Sequence, residues 1–356
     1  MPASRNVSSD PGATPVAFGA AVQEPAVERP RGASVVIPVL NEEHHLRDAV
    51  QRVLDQDYAG PLEVVLALGP SKDRTDRIAA DIAATDPRVR LVANPSGRTP
   101  AGLNAAIAVT QYDLVVRIDG HALIPRDYLA VAEAELAATG ADNVGGVMAA
   151  EGVSDFQKAV ARAMTTKLGV GAATFHVGGE AGPTLTVYLG AFRAAALARV
   201  GGYDETFQRA QDWEMNHRIR ATGGQVWFTP RMRVTYRPRR SPKALAKQYF
   251  NYGRWRRVLA RRYPETVSVR YLAAPAATLG VVGGSAMALA SRWGPRWLAI
   301  GAIAPAGYTV LVVVGSVANA AGLPLKAKLW LPVVYATMHH SWGLGFLTSP
   351  PGLGRE

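Results

Sequence analysis

Val115-Val116-Arg117-Ile118-Asp119-Gly120-His121 is a β-branched apolar run that ends in a carboxylate and an imidazole two positions apart. Residues i and i+2 of a strand project to the same side. Asp119 and His121 can therefore face one divalent cation at the carboxyl end of a strand, where open α/β sheets bind their ligands. Taken alone, such a triplet is most often a surface turn. Its weight comes from what flanks it.

Upstream, Ala33-Ser34-Val35-Val36-Ile37-Pro38-Val39 reads as a buried strand. Asn41-Glu42-Glu43 then opens a helix whose apolar positions Leu46, Ala49, Val50, Val53 and Leu54 follow a 3.6-residue period. Strands at 61–68, 89–92 and 114–118 alternate with helices at 73–84 and 100–109. This alternation predicts an α/β fold with a doubly wound parallel sheet. Further on, the pattern predicts helices at 125–138, 154–168, 192–200 and 212–221, and strands at 143–148 and 225–228. The Gly- and Ala-rich stretch 169–183 reads as a mobile loop, with Gly178-Gly179-Glu180 as a candidate lid or plain flexible turn.

The chain has 356 residues and no cysteine, which excludes disulfides and Cys-based zinc sites. Its net charge of +11 is unevenly placed: residues 229–263 hold twelve Arg or Lys and no Asp or Glu, and the remainder is near neutral. A local basic patch favours contact with a membrane surface or polyanion. No nucleic-acid partner is expected, because the patch abuts a candidate membrane span. Residues 1–32 lack a continuous apolar core and read as a disordered tail without a secretory signal.

Beyond residue 262 the composition changes. Residues 271–290 and 297–323 are uncharged runs of 20 and 27 residues, and 329–347 is a third, interrupted by His339 and His340. About twenty apolar residues suffice to span a bilayer. The first two runs are good candidates and the third a weaker one; the competing reading is a buried helical hairpin. The helix at 242–262 mixes Leu245, Tyr249, Phe250, Tyr252, Trp255 and Leu259 with cations, as an interfacial amphipathic helix does. The expected layout is a tail at 1–32, a catalytic domain at 33–238, the interfacial helix at 239–265 and two to three transmembrane helices within 266–350. The positive-inside rule places the sheet domain in the cytoplasm, in a multi-pass protein of the cell membrane.

Several motifs coincide in order and spacing. Val36-Ile37-Pro38-Val39-Leu40-Asn41-Glu42-Glu43, Ser71-Lys72-Asp73-Arg74-Thr75, Asp119-Gly120-His121, Gly201-Gly202-Tyr203-Asp204-Glu205 and Gln211-Asp212-Trp213-Glu214 resemble the successive motifs of family 2 glycosyltransferases. The likeness covers about residues 33–230. The Arg-Ile-Asp-Gly-His-Ala variant, Tyr188-Leu189-Gly190-Ala191-Phe192-Arg193, Tyr252-Gly253-Arg254-Trp255-Arg256 and the stretch 336–346 are similar to membrane-attached glucosyltransferases of the succinoglycan-biosynthesis type. The resemblance implies a GT-A-type mixed, mostly parallel sheet and an inverting, metal-dependent transfer.

It also implies roles. Pro38, Val39, Glu42, Asp73 and Asp119 would bind the nucleotide sugar. Asp119 and His121 would hold Mg²⁺ or Mn²⁺, which neutralises charge developing on the leaving diphosphate. Asp212 would be the base that takes the acceptor proton. Gly190, Arg193, Gly202, Gln211, Arg254 and Trp255 would lie on the acceptor side. Bland alternatives stand beside these: Glu42 at a helix N-terminus, Asp73 and Asp212 as N-caps, and His121 as a cap or ribose contact. Two positions depart from the family pattern. Ala67-Leu68-Gly69-Pro70 stands where an acid usually helps to read uracil, and Gln211 replaces the glutamate before the base. Gln248 lies six residues before Arg254, so the Gln-x-x-Arg-Trp spacing of processive synthases is absent and a single addition is expected.

The implied reaction moves a hexose, glucose by the nearest resemblance, from a UDP-sugar to a polyprenyl-diphosphate-linked saccharide. Membrane lipids and other polysaccharide-assembly proteins are the expected partners. The alternatives are a polyprenyl-phosphate sugar synthase and a non-catalytic scaffold that binds donor or lipid.

Overall fold

The computed structural model describes residues 29–355. The tail expected at 1–32 lies almost wholly outside them. Eight strands form one sheet: β1 (Ala33–Val39), β2 (Leu62–Leu68), β3 (Val89–Ala93), β4 (Leu114–Arg117), β5 (Asn143–Ala150), β6 (Gly182–Pro183), β7 (Tyr188–Arg193) and β8 (Val226–Tyr236). Their order is β3-β2-β1-β4-β7-β5-β8-β6. The first four are mutually parallel, β8 is parallel to β5, and β7 runs antiparallel between β4 and β5. The short β6 is antiparallel to β8 at the edge.

The central strands are apolar on both faces because helices cover both. Val35, Ile37, Val64 and Leu66 pack with Leu46, Val50, Ile82 and Leu129 on one side. Val36, Val65 and Val115 pack with Leu103, Leu197, Met215 and Ile219 on the other. Pro38 sits in a central strand at no cost to the ladder. The pairing of β1 with β4 ends at Val36 and Arg117, so its missing N–H faces no partner there.

Four local expectations change. The first helix is Leu46–Leu54 and does not begin at Asn41. Asn41 is left-handed (φ 56°), and its side chain is drawn across to the loop after β2. Residues 188–193, partly assigned to a helix, form β7, and the helix begins at Ala194. Within β7, Leu189 and Gly190 take positive φ where the register with β5 shifts. β8 runs on to Tyr236, with Met232 and Val234 buried and Arg231 and Arg233 exposed in strand alternation. The Gly-rich loop contains two helical turns, Lys167–Val170 and Thr174–Val177, before β6.

At the C-terminal end, helices Val269–Ala290 and Arg296–Ala318 are long and apolar enough to cross a membrane. Their apolar side chains face outward: Val282 is 65 % exposed and Val317 73 %. That is the opposite of a hairpin buried in a soluble core. The third uncharged segment lies in the helix Leu325–Leu347, which carries Lys326 and Lys328 at its start and Pro332 inside. Its stripe Leu331, Val334, Tyr335 and Met338 is buried against Phe156 and Val160 of the helix Asp155–Met164 and against Leu245 and Tyr249 of the basic helix Pro242–Arg262. The structure thus supplies two candidate spans, with this third helix serving as their internal support.

The basic helix and the last helix meet backbone to backbone. A Cβ on Gly253 would overlap the Trp342 carbonyl oxygen, and one on Gly345 would overlap that of Phe250. Replacing Gly253 with Val should therefore force the helices apart at a cost of about 1–3 kcal/mol. A lowered thermal midpoint of the detergent-purified full chain checks this. Gly283→Ala, whose added methyl meets nothing within 4 Å, should leave the midpoint unchanged or raise it.

Candidate active site

The carboxyl ends of β1, β2 and β4 converge. Reciprocal bonds close the loops after β1 and β2 onto each other. The Lys72 N–H donates to Asn41 Oδ1 (2.8 Å), the Glu42 N–H to the Thr75 hydroxyl (2.7 Å), and the Arg74 N–H and Nε–H to Glu43. Asp73 accepts from the Thr75 N–H and hydroxyl and from the Glu43 N–H (3.3 Å). These bonds hold its carboxyl below the ordinary range, the Thr75 hydroxyl foremost. These contacts fasten the two loops together; the N-cap of the helix Thr75–Thr85 is Arg74, so Asp73 is not its capping residue.

Arg117, the last residue of β4, points the same way as Asp119 and is buried. One guanidinium nitrogen donates to Asp119 Oδ1 at 3.0 Å, and the other contacts Asp212 Oδ1. Desolvation of Arg117 is more than offset by the two carboxylates, which hold it well above its ordinary value. Asp212 lies in the first turn of the helix Gln211–Ala221 but makes no capping bond there. Its carboxylate is committed to Arg117, and the N-cap alternative falls away. Burial pushes the Asp212 carboxyl up to about 6, with Arg117 pulling down and Asp119 adding like charge. Its side chain keeps 22 % of its surface exposed, so a substrate hydroxyl can reach it. Ala210, just before the helix, is left-handed (φ 61°), a strained state for a residue with a Cβ.

His121 Nδ1 pairs with Glu42 Oε1 at 2.7 Å. This bond raises the imidazole above its ordinary value against the opposing effect of burial. Among the described residues no three His, Asp or Glu side chains converge as a metal cage. Strand β4 ends at Arg117, and Asp119-Gly120-His121 lies in a turn closed by the Ala122 N–H on the Asp119 carbonyl (2.9 Å), so the two side chains are not the same-face strand neighbours expected from the sequence. Asp119 Oδ2 and His121 Nε2 have no hydrogen-bond partner among the described residues, and Nε2 can join a cation only in the neutral imidazole, the form that the bond to Glu42 disfavours. Mg²⁺ is commonly held by one or two carboxylates with substrate phosphates and water. The side chains fit a cation of that kind, completed by a diphosphate.

The acceptor-side expectations divide. Gly202 (φ 72°) and Tyr203 form a turn fastened by Asn104, whose amide brackets the Tyr203 backbone at 2.8 Å on both sides, and by Arg218 on the Gly202 carbonyl. Gln211 and Asp212 follow on the same side of the sheet. Gly190 lies against Asn143. Arg193 is not brought to the site. It pairs opposite Leu114 at the other end of β4 and donates to the carbonyls of Ala141 and Leu136. Trp255 is buried against Phe207, beneath the loop that leads to Asp212. The Arg254 guanidinium lies over the Phe250 ring at 5.8 Å, its one side-chain contact with an aromatic ring among the described residues. The cation that ties the Asp212 helix to the membrane connector is Arg256, lying over the rings of Trp213 (4.8 Å) and Tyr271 (3.6 Å). Sequence reading gave no role to Arg117 or Arg256. The i, i+2 phase of Arg117 with Asp119 was the available signal for the first.

A strand-end carboxylate set facing a second, reachable carboxylate on a crossing helix defines a group-transfer site on a mixed α/β sheet. Residues 34–201 match glycosyl transferase family 2. The chain is 33 % identical over 314 residues to the succinoglycan biosynthesis protein ExoA of Rhizobium meliloti (strain 1021), covering 88 % of this chain and 93 % of that protein. Its fold is similar to that of the mannosyltransferase PcManGT from Pyrobaculum calidifontis, solved in complex with GDP-Man and Mn²⁺. The TM-score is 0.57 at 21 % identity, over 90 % of this chain and 88 % of that one. The chain belongs to glycosyltransferase family 2 and is a glycosyltransferase.

The Glu42–His121 pair makes stability depend on pH. A raised imidazole value gives stabilisation that is full below the unfolded value and fades as pH rises through the folded one. Glu42→Gln should lower the thermal midpoint more at pH 5.5 than at pH 8.5. Equal losses at both pH values would show that the pair does not carry charge.

Proposed function

We propose that the chain is an inverting, divalent-cation-dependent hexosyltransferase that works at the membrane surface. It transfers a hexose, glucose in our reading, from a UDP-sugar to a polyprenyl-diphosphate-linked saccharide during exopolysaccharide or cell-envelope glycan synthesis. The succinoglycan-biosynthesis role of the Rhizobium relative supports the pathway, and the Mn²⁺ bound with GDP-Man in the Pyrobaculum enzyme supports the cation. The observation that carries the reading is the placement of Asp212. It is exposed enough to reach a hydroxyl and sits across Arg117 from Asp119.

In the transfer, the acceptor oxygen bonds to the anomeric carbon as the bond to the diphosphate breaks. The bonding pair leaves with the nucleoside diphosphate, and the acceptor proton goes to Asp212. Asp119, with His121, would hold the cation, which when bound supplies charge neutralisation at the diphosphate. Pro38, Val39 and Glu42 border the nucleoside side of the cleft, with Asp73 fixing the loop. The outward apolar helices support membrane attachment, and the basic run before the first of them supports a cytoplasmic sheet domain. Two spans return the C-terminus to that face.

Nucleotide release by membranes bearing the wild type or Asp212→Asn tests this. A panel of UDP-, GDP- and dTDP-sugars is supplied with Mn²⁺ or Mg²⁺ and a lipid extract. One donor should give cation-dependent release that falls by about 10²–10⁴-fold in the variant, with donor binding kept. Wild-type turnover should decline as pH drops through about 6, where the base takes up a proton. Undiminished release from the variant would remove Asp212 as the base.

A further inference from the structure

We propose that Arg117 is a positioning residue for the transfer: its two-armed guanidinium sets the base Asp212 at a fixed offset from the donor-side carboxylate Asp119. The inference rests on the reading of Asp212 as the base. Among the described residues Arg117 is the only hydrogen-bond partner of either carboxylate. The three groups come from two elements far apart in the chain, the end of β4 and the helix Gln211–Ala221. Arg117 is held at its own end by the pairing of β4 with β1, and its side chain is 5 % exposed. Asp212, by contrast, follows a strained Ala210 and has no bond to its own helix end.

Simple charge neutralisation would not need this geometry. A lysine would neutralise equally well, whereas a planar fork fixes the angle between two acceptors. Among the described residues the buried Arg117 Nε–H has no partner. Its hydrogen bonds are therefore concentrated on the two carboxylates rather than spread through the core. With Oδ1 of Asp212 held by the fork, Oδ2 is left to meet the acceptor hydroxyl. A base displaced by about 1 Å can cost on the order of 100-fold in rate.

The test uses full-length enzyme in membranes, with the donor that supports wild-type turnover. The variants are Arg117→Met, Arg117→Lys, Asp212→Asn and the double variant Arg117→Met/Asp212→Asn; kcat, donor KM, donor binding and thermal midpoint are read for each. The expected result is that Arg117→Met lowers kcat by at least about 30-fold, while donor KM changes less than about tenfold. The double variant should be no slower than Asp212→Asn alone, because both changes remove the same positioned base. Arg117→Lys should fold, bind donor and still lose about tenfold or more in kcat, which decides the matter if Arg117→Met does not fold. Full activity in Arg117→Lys would leave only charge neutralisation and overturn the proposal. So would losses that multiply in the double variant. Wild-type turnover in Asp212→Asn would instead remove the base reading itself, a result visible without any Arg117 variant.

Discussion

A cation buried at the end of β4 organises this molecule's working face. Arg117 has little water around it, and a buried charge deprived of its partners costs on the order of 3–5 kcal/mol. It is satisfied by one carboxylate from its own strand end and one from a helix nearly a hundred residues later. That requirement draws the helix Gln211–Ala221 over the carboxyl edge of the sheet. The Gly201-Gly202-Tyr203 turn and its Asn104 and Arg218 fastenings hold the approach to that helix in place. The loops after β1 and β2 are secured separately, by the Asn41–Lys72 and Asp73–Thr75 bonds. The end of β4 and the helix Gln211–Ala221 thus meet through the Arg117 guanidinium, beside the Asn104 bonds to Tyr203.

The membrane-proximal region is joined to this face by packing. The basic helix carries Trp255 and Leu259 beneath Phe207, in the segment leading to Asp212. Its other side lies on the last helix at the Gly253–Gly345 crossing. Arg256 spans from Trp213 to Tyr271, linking the helix Gln211–Ala221 to the start of the first apolar helix. Much of the charge expected to lie flat on lipid headgroups is used instead in stacking and in capping carbonyls, as Arg256 on Thr266 and Arg261 on Ser349 and Pro350 show.

The first half of the sheet was legible because its strands are short apolar runs separated by helices of clear period. Motif order singled out Asp119 and Asp212, and the structure sets both carboxylates on Arg117. β7 was not, because Leu189-Gly190 breaks its alternation and the following alanines read as helix. The second half of β8 hid behind its arginines, although Met232 and Val234 keep the strand phase. Arg193 and Trp255 were placed by likeness of sequence, yet their neighbours in space give them supporting roles. No local pattern could show that Arg117 would reach Asp212. That contact is tertiary, and only its i, i+2 phase with Asp119 was written in the chain. The pairing of His121 with Glu42 was hidden for the same reason.

In the proposed function Asp212 activates an acceptor for direct displacement at the anomeric carbon. The configuration of the newly formed glycosidic bond tests it most directly. With an α-linked nucleotide sugar as donor, NMR of the isolated glycolipid product should show a β linkage. An α linkage would mean retention, and would contradict a single displacement driven by one base.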